Sequence, residues 1–187
     1  MGLSRHLLGV FHKLAVDGDW QKIGNVIELG PQDVVCEGYE EMVRQICTIL
    51  GRDAPSESNL TSILKSGSTK DLYETLGIEY NSLDTDGKHG ALTMDLNFDD
   101  VPEDQKNRYG LTTNFGTTEH LINQLNAFKV MHDFTKAGGL MFHDVPFHGH
   151  VNHGFLIISP VFSKVWPGSI PMKFLACGFN LAAPCRA

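Results

Sequence analysis

The sequence lacks a surplus of basic charge: 15 Lys and Arg stand against 22 Asp and Glu, a formal net charge of −7. A protein that neutralises phosphates needs the reverse balance, so nucleic acid is not an expected partner. Long apolar runs are also missing. The longest, residues 155–158 with their flanks, falls far short of the roughly 20 apolar residues needed to cross a bilayer, so no membrane association is expected. Cysteine is scarce, and Cys36, Cys47, Cys177 and Cys185 form no C-x-x-C motif. With no secretory leader ahead of them, reduced thiols and a cytoplasmic location are expected. The opening MGLSRH has His6 where a myristoylation signal wants Ser or Thr. No internal repeat is present.

What is there is an ordinary globular composition, 42% hydrophobic and 20% charged. A chain of 187 residues can bury a substantial core as one domain, and is too short for two ordinary ones. Residues 1–187 are therefore expected to form a single domain.

The most informative stretch is residues 114–150. It begins at the mouth of an apolar run. A helical pattern follows, with Leu121, Leu125, Phe128, Val130 and Met131, and Gly138-Gly139 is expected to stop that helix before a strand at residues 139–143. Strand, helix, strand is a βαβ unit, so the two strands are expected to be parallel neighbours.

Upstream, residues 3–16 carry Leu7, Leu8, Val10, Phe11, Leu14 and Ala15 at helical spacing, ended by Asp17-Gly18. Residues 25–30, NVIELG, read as a first strand covered on both faces. Residues 39–50 read as a crossover helix, and residues 52–70, rich in Ser, as an insertion or mobile loop. A short helix at 70–76 leads into a second strand, IEYNSLDTDG. GALTMDLN is the third strand and YGLTTNFG the fourth. Two further strands, FLIISPVF and MKFLACGF, are expected as an antiparallel pair around Trp166-Pro167-Gly168, and this apolar end could support a homodimer. The fold class is thus α/β: a Rossmann-like three-layer sandwich, mostly parallel, with a short antiparallel C-terminal end.

Acidic residues recur at strand ends: Glu28 on the first, Asp84 or Asp86 on the second, Asp95 on the third. In an open α/β sheet such ends line one crevice, where a carboxylate can accept ribose hydroxyls or a purine amine. Each acid also fits a turn-forming role, as in DTDGKHG.

On VIELG, YNSLDTDG, ALTMDLN and TTNFGTTEH, the chain resembles the class I S-adenosylmethionine-dependent methyltransferases over residues 25 to about 160. The run NFGTTEHLINQ followed by KAGGLMFHDVP looks like a methyltransferase-like subgroup of mostly uncharacterised members. The resemblance implies S-adenosylmethionine as cofactor. It assigns Glu28 and Gly30 to the methionine end, Asp84, with Asp86 as the competing register, to the ribose, Asp95 and Leu96 to the adenine, and Asn114 and Phe115 to the methyl group and acceptor. The implied reaction is methyl transfer to a small-molecule hydroxyl or amine. Where the family has further glycines, this chain has ELGPQDV, with Gln32 and Val34 in their place. That difference favours a non-catalytic binding or scaffolding module as the alternative.

His143, His148, His150 and His153 crowd one segment, with Glu119 and His120 expected across the crevice. Imidazole serves proton transfer or metal ligation. His143 is the first candidate for a general base, followed by Glu119 or His120. The spacing H-x4-H-x-H-x2-H matches no zinc signature, so no residue is assigned as a metal ligand. A metal-assisted hydrolase or lyase built on residues 143–153 is a second alternative. Thr117-Thr118-Glu119 also has the pattern of a helix cap.

Overall fold

A computed structural model describes residues 2–35, 38–66, 68–146 and 153–157. Five strands form one sheet, β1 (Asn25–Leu29), β2 (Glu79–Asp84), β3 (Leu92–Thr93), β4 (Tyr109–Phe115) and β5 (Thr135–Asp144), in the order β3-β2-β1-β4-β5. Every pairing in it is parallel. The helices are α1 (Arg5–Val16), α2 (Tyr39–Ile49), α3 (Glu57–Lys65), α4 (Lys70–Thr75) and α5 (Gln124–Phe134).

Alternation along the central strands sends side chains to two cores. Val26, Leu111, Phe115 and Phe142 face a cluster with Leu7, Phe11, Val43, Leu60 and Tyr73 of α1 to α4. Ile27, Leu29 and Leu83 face Phe128, Met131 and Phe134 of α5. Helices therefore cover both faces, the three-layer α/β arrangement expected, and this double cover explains why β1 and β4 are buried almost throughout, their polar residues Glu28, Thr112, Thr113 and Asn114 included. Of the expected antiparallel C-terminal pair, residues 155–157 are described and form no strand, and the rest lies outside the described residues.

Local chemistry sets the boundaries. Ser4 caps α1 by accepting from the Leu7 N–H at 3.4 Å, and Asp17 ends it. Asn123 caps α5 by accepting from the Asn126 N–H at 3.2 Å, so the helix starts after Leu121.

Two expectations are corrected. The passage at 52–70 contains α3: Ser56 accepts from the Asn59 N–H at 3.2 Å, and Leu60 and Ile63 are buried one turn apart. The serines that suggest a loop act as a helix cap and solvated face. Gly138-Gly139 does not stop α5, which ends at Phe134 with Thr135 as its C-cap. The glycines make a bend inside β5, where the register jumps from Tyr109↔Thr135 to Leu111↔Leu140. Gly138 has φ +76°, and a Cβ on Gly139 would lie 2.8 Å from Thr135 Cγ2.

Candidate functional site

The order β3-β2-β1-β4-β5 places a topological switch between β1 and β4, and loops leaving their carboxyl ends open a crevice there. A cleft of ≈350 Å³ occupies this place. Its apolar wall comes from Leu83, Met94, Leu96 and Leu121, and its polar rim from Asp84, Thr117, His120 and Gln32.

Three of these rim residues, Thr117, Asp84 and Gln32, are held at the ends of the sheet. The Thr117 hydroxyl donates to the Leu29 carbonyl at 2.5 Å and ties the exit of β4 to that of β1. Asp84 ends β2, its Oδ1 accepting from the Thr85 N–H at 2.6 Å, while Oδ2 faces Gly30. Asp86 is paired with exposed Lys88 at 2.6 Å and lines no part of the cleft, so Asp84 is the second-strand acid that reaches it. Gln32 folds back, donating from Nε2 to the Gly30 carbonyl at 3.1 Å.

Of the expected site residues, Gly30, Asp84, Leu96 and His120 line the cleft, and the others stand elsewhere. Glu28 faces the α1–α4 core and is fully buried. Its Oε2 accepts from Thr69 Oγ1 at 2.5 Å, Tyr80 Oη at 2.9 Å and the Gln32 N–H at 3.1 Å. Burial raises this carboxyl to about 7, and the three donors act against that rise. The same burial and the nearby Glu28 charge push the Tyr80 hydroxyl up. Asp95 closes a turn: its Oδ1 accepts from the Asn97 N–H at 2.9 Å and from Asn97 Nδ2 at 3.0 Å. This is the turn-forming role that its sequence context also allowed.

Asn114 and Phe115 are buried as well. Asn114 Oδ1 accepts from the N–H groups of Thr117 and Thr118 at 3.3 and 3.2 Å, so Asn114, rather than Thr117, caps the 3₁₀ turn Thr118–His120. Phe115 packs edge-on against Phe142, ring centroids 5.0 Å apart. The residues of this segment that do reach the cleft are Gly116 and Thr117, one step further on.

His143 does not face the crevice. β5 runs on to Asp144, so His143 still obeys strand alternation and turns toward α5, where its ring lies 5.2 Å from that of Phe128 and Nδ1 lies 3.3 Å from Asn114 Nδ2. Desolvation pulls its imidazole down to about 4.

Glu119 is fully buried beneath the segment at 153–157. The Glu119 carbonyl accepts from the Phe155 and Leu156 N–H groups at 2.8 and 3.2 Å. His153 Nε2 lies 3.5 Å and His120 Nε2 4.0 Å from Glu119 Oε1. The expected approach of Glu119 and His120 to the histidine-rich segment is thus present at His153. His148 and His150 lie outside the described residues.

Thr117 lies in the segment 114–120 where the sequence places the site, though it was read individually only as a helix cap; Met94 was missed and had no signal beyond its apolar character. No protein-family model and no curated protein matches this chain.

Proposed function

We propose that the cleft binds the adenosine portion of S-adenosylmethionine, and that the protein transfers its methyl group to a small-molecule hydroxyl or amine. The observation that carries this reading is Asp84, at the end of β2, with Oδ2 facing Gly30 beside the apolar wall of Leu83, Met94 and Leu96. A carboxylate there can accept two ribose hydroxyls while the apolar wall packs on a purine. The cofactor supplies an activated methyl on a sulfonium leaving group. The chain contributes alignment of the acceptor, which accounts for most of the acceleration in such a displacement. His120 is the expected base candidate that borders the cleft, and its side chain is 46% exposed. A hydroxyl or protonated amine acceptor would need it. A reducing, cytoplasmic setting belongs to this reading.

The second reading, a nucleoside-binding module without catalysis, draws on the turn after β1. Pro31 has no N–H, and the Gln32 N–H is already given to Glu28, so two amides that could meet the methionine end are missing.

Isothermal titration with S-adenosylmethionine and S-adenosylhomocysteine tests both. Stoichiometric binding, weakened about 10- to 100-fold in Asp84→Ala through loss of charge-assisted hydrogen bonds, is expected. No heat and no thermal shift at millimolar ligand would end the cofactor reading. Equal affinity for adenosine alone, without methyl transfer to any acceptor, would favour the module.

A further inference from the structure

Beside the cleft, Glu119 has a feature that neither reading uses. Its side chain has no exposed surface, and among the described residues no group donates a hydrogen bond to either carboxylate oxygen. A buried carboxylate without donors is costly unless a cation completes it. The groups beside it are two imidazoles. His153 Nε2 is 3.5 Å and His120 Nε2 4.0 Å from Oε1, and one ligand atom from each of the three residues lies within 4.8 Å of the others.

We infer that Glu119, His120 and His153 form a binding site for a divalent first-row transition metal, zinc or cobalt being suitable probes. Ligand atoms about 2.1 Å from zinc stand about 3.4 Å from one another in a tetrahedron. The Glu119–His153 spacing of 3.5 Å already meets that, the Glu119–His120 spacing exceeds it by about half an ångström, and the two imidazole ligand atoms lie within 4.8 Å of each other, so a rotation of the exposed His120 side chain completes the set. Two imidazoles with one carboxylate suit zinc, cobalt, nickel or ferrous iron, whereas calcium and magnesium want all-oxygen sets.

The backbone is arranged to hold this set. Asn114 caps the turn that carries Glu119 and His120. The segment bearing His153 is held to Glu119 by the two hydrogen bonds to its carbonyl. Gly154 permits that approach: a Cβ there would lie 2.8 Å from both Glu119 Cγ and the Glu119 carbonyl oxygen. The buried carboxylate forms the floor, while the histidine side chains are 46% and 33% exposed, which leaves the solvent side open for a water or substrate ligand. Because His120 also borders the cleft, these three residues would hold a metal beside whatever the cleft binds, where it would supply Lewis-acid chemistry, and His120 would then serve as a ligand in place of a free imidazole base.

The site is independent of the cofactor reading, and its test uses no nucleoside. Tag-free, full-length protein is stripped with a chelator and titrated with Co²⁺, followed by its visible ligand-field absorption, with Zn²⁺ in competition. One equivalent should bind, with affinity reduced tenfold or more in Glu119→Gln, His120→Ala and His153→Ala. His153→Ala should keep the thermal midpoint of the metal-free protein, which separates ligand loss from unfolding. Binding should survive the paired change His148→Ala and His150→Ala. No absorption change, or binding that persists in Glu119→Gln and disappears in the His148/His150 pair, would overturn the proposal.

Discussion

Among the described residues two carboxylates, Glu28 and Glu119, are buried completely, and they are treated differently. Glu28 has three donors on one oxygen, drawn from α4's approach, from β2 and from the turn after β1. Glu119 has no hydrogen-bond donor among the described residues and two imidazoles at ion-pair distance. The difference separates structure from site. Glu28 joins elements that must be joined for the sheet to close over its core, whereas Glu119 is left electrostatically incomplete beside an open cleft.

Replacing each by leucine tests that contrast with the largest effect. Glu28→Leu strands the hydroxyls of Thr69 and Tyr80 and the Gln32 N–H. It should cost about 3 kcal/mol or more at pH 5, where the carboxyl is protonated and exacts little desolvation penalty. Glu119→Leu should stabilise the metal-free protein by about 1–3 kcal/mol, because it removes a buried carboxylate that no group among the described residues donates to. Urea denaturation of metal-free protein reads both. Losses of equal size would dissolve the distinction.

A second test uses pH. Glu28 is raised from 4.5 to about 7, so the folded state holds its proton more tightly than the unfolded chain. That contribution is fully present below pH 4.5 and is lost as pH rises to about 7, a change on the order of 3 kcal/mol. His143 runs the other way. Its imidazole falls from 6.5 to about 4, so its contribution is present above 6.5 and is lost as pH falls to about 4. The two slopes oppose one another between pH 4.5 and 6.5, and stability should be nearly flat there. Glu28→Gln removes one slope and keeps an acceptor for the three donors. Stability of that variant should climb by about 3 kcal/mol from pH 4 to 6.5 and exceed the parent's at pH 8. A parallel pair of stability curves would refute the assignment.

The same contrast explains which parts of the molecule could be read in the sequence. The βαβ unit was legible from its strand, helix, strand order, and β1 from Val26, Ile27 and Leu29, although Glu28 in β1 and Thr112, Thr113 and Asn114 in β4 interrupt the apolar runs that burial on both faces favours. Asp84 was legible as a cleft residue because strand-end position alone brings it there, whereas Gly30 was named only through the family resemblance. Glu28 sits on a strand near the same end, but strand alternation turns it with Val26 toward the α1–α4 face, where one of its partners, Thr69, comes from 41 residues away, just after a helix that its serines conceal. His143 looked like a crevice residue because β5 was expected to end there, and one further strand residue turns it toward α5. Chain order reports where a strand lies more readily than which way its last side chains point.

The smallest effect is the most selective. Thr69→Val keeps shape and burial while removing one donor from Glu28, the shortest of the three at 2.5 Å. A hydrogen bond to a carboxylate favours its charged form, so its loss should push Glu28 further above 7. The variant should therefore lose about 1–2 kcal/mol at pH 8, where Glu28 is ionised, and less at pH 5, where the neutral carboxyl needs the donor less. Metal titration should be unaffected, since Thr69 contacts Glu28 and none of Glu119, His120 or His153. A Thr69→Val protein that lost Co²⁺ binding along with stability would mean that the two carboxylates belong to one coupled unit.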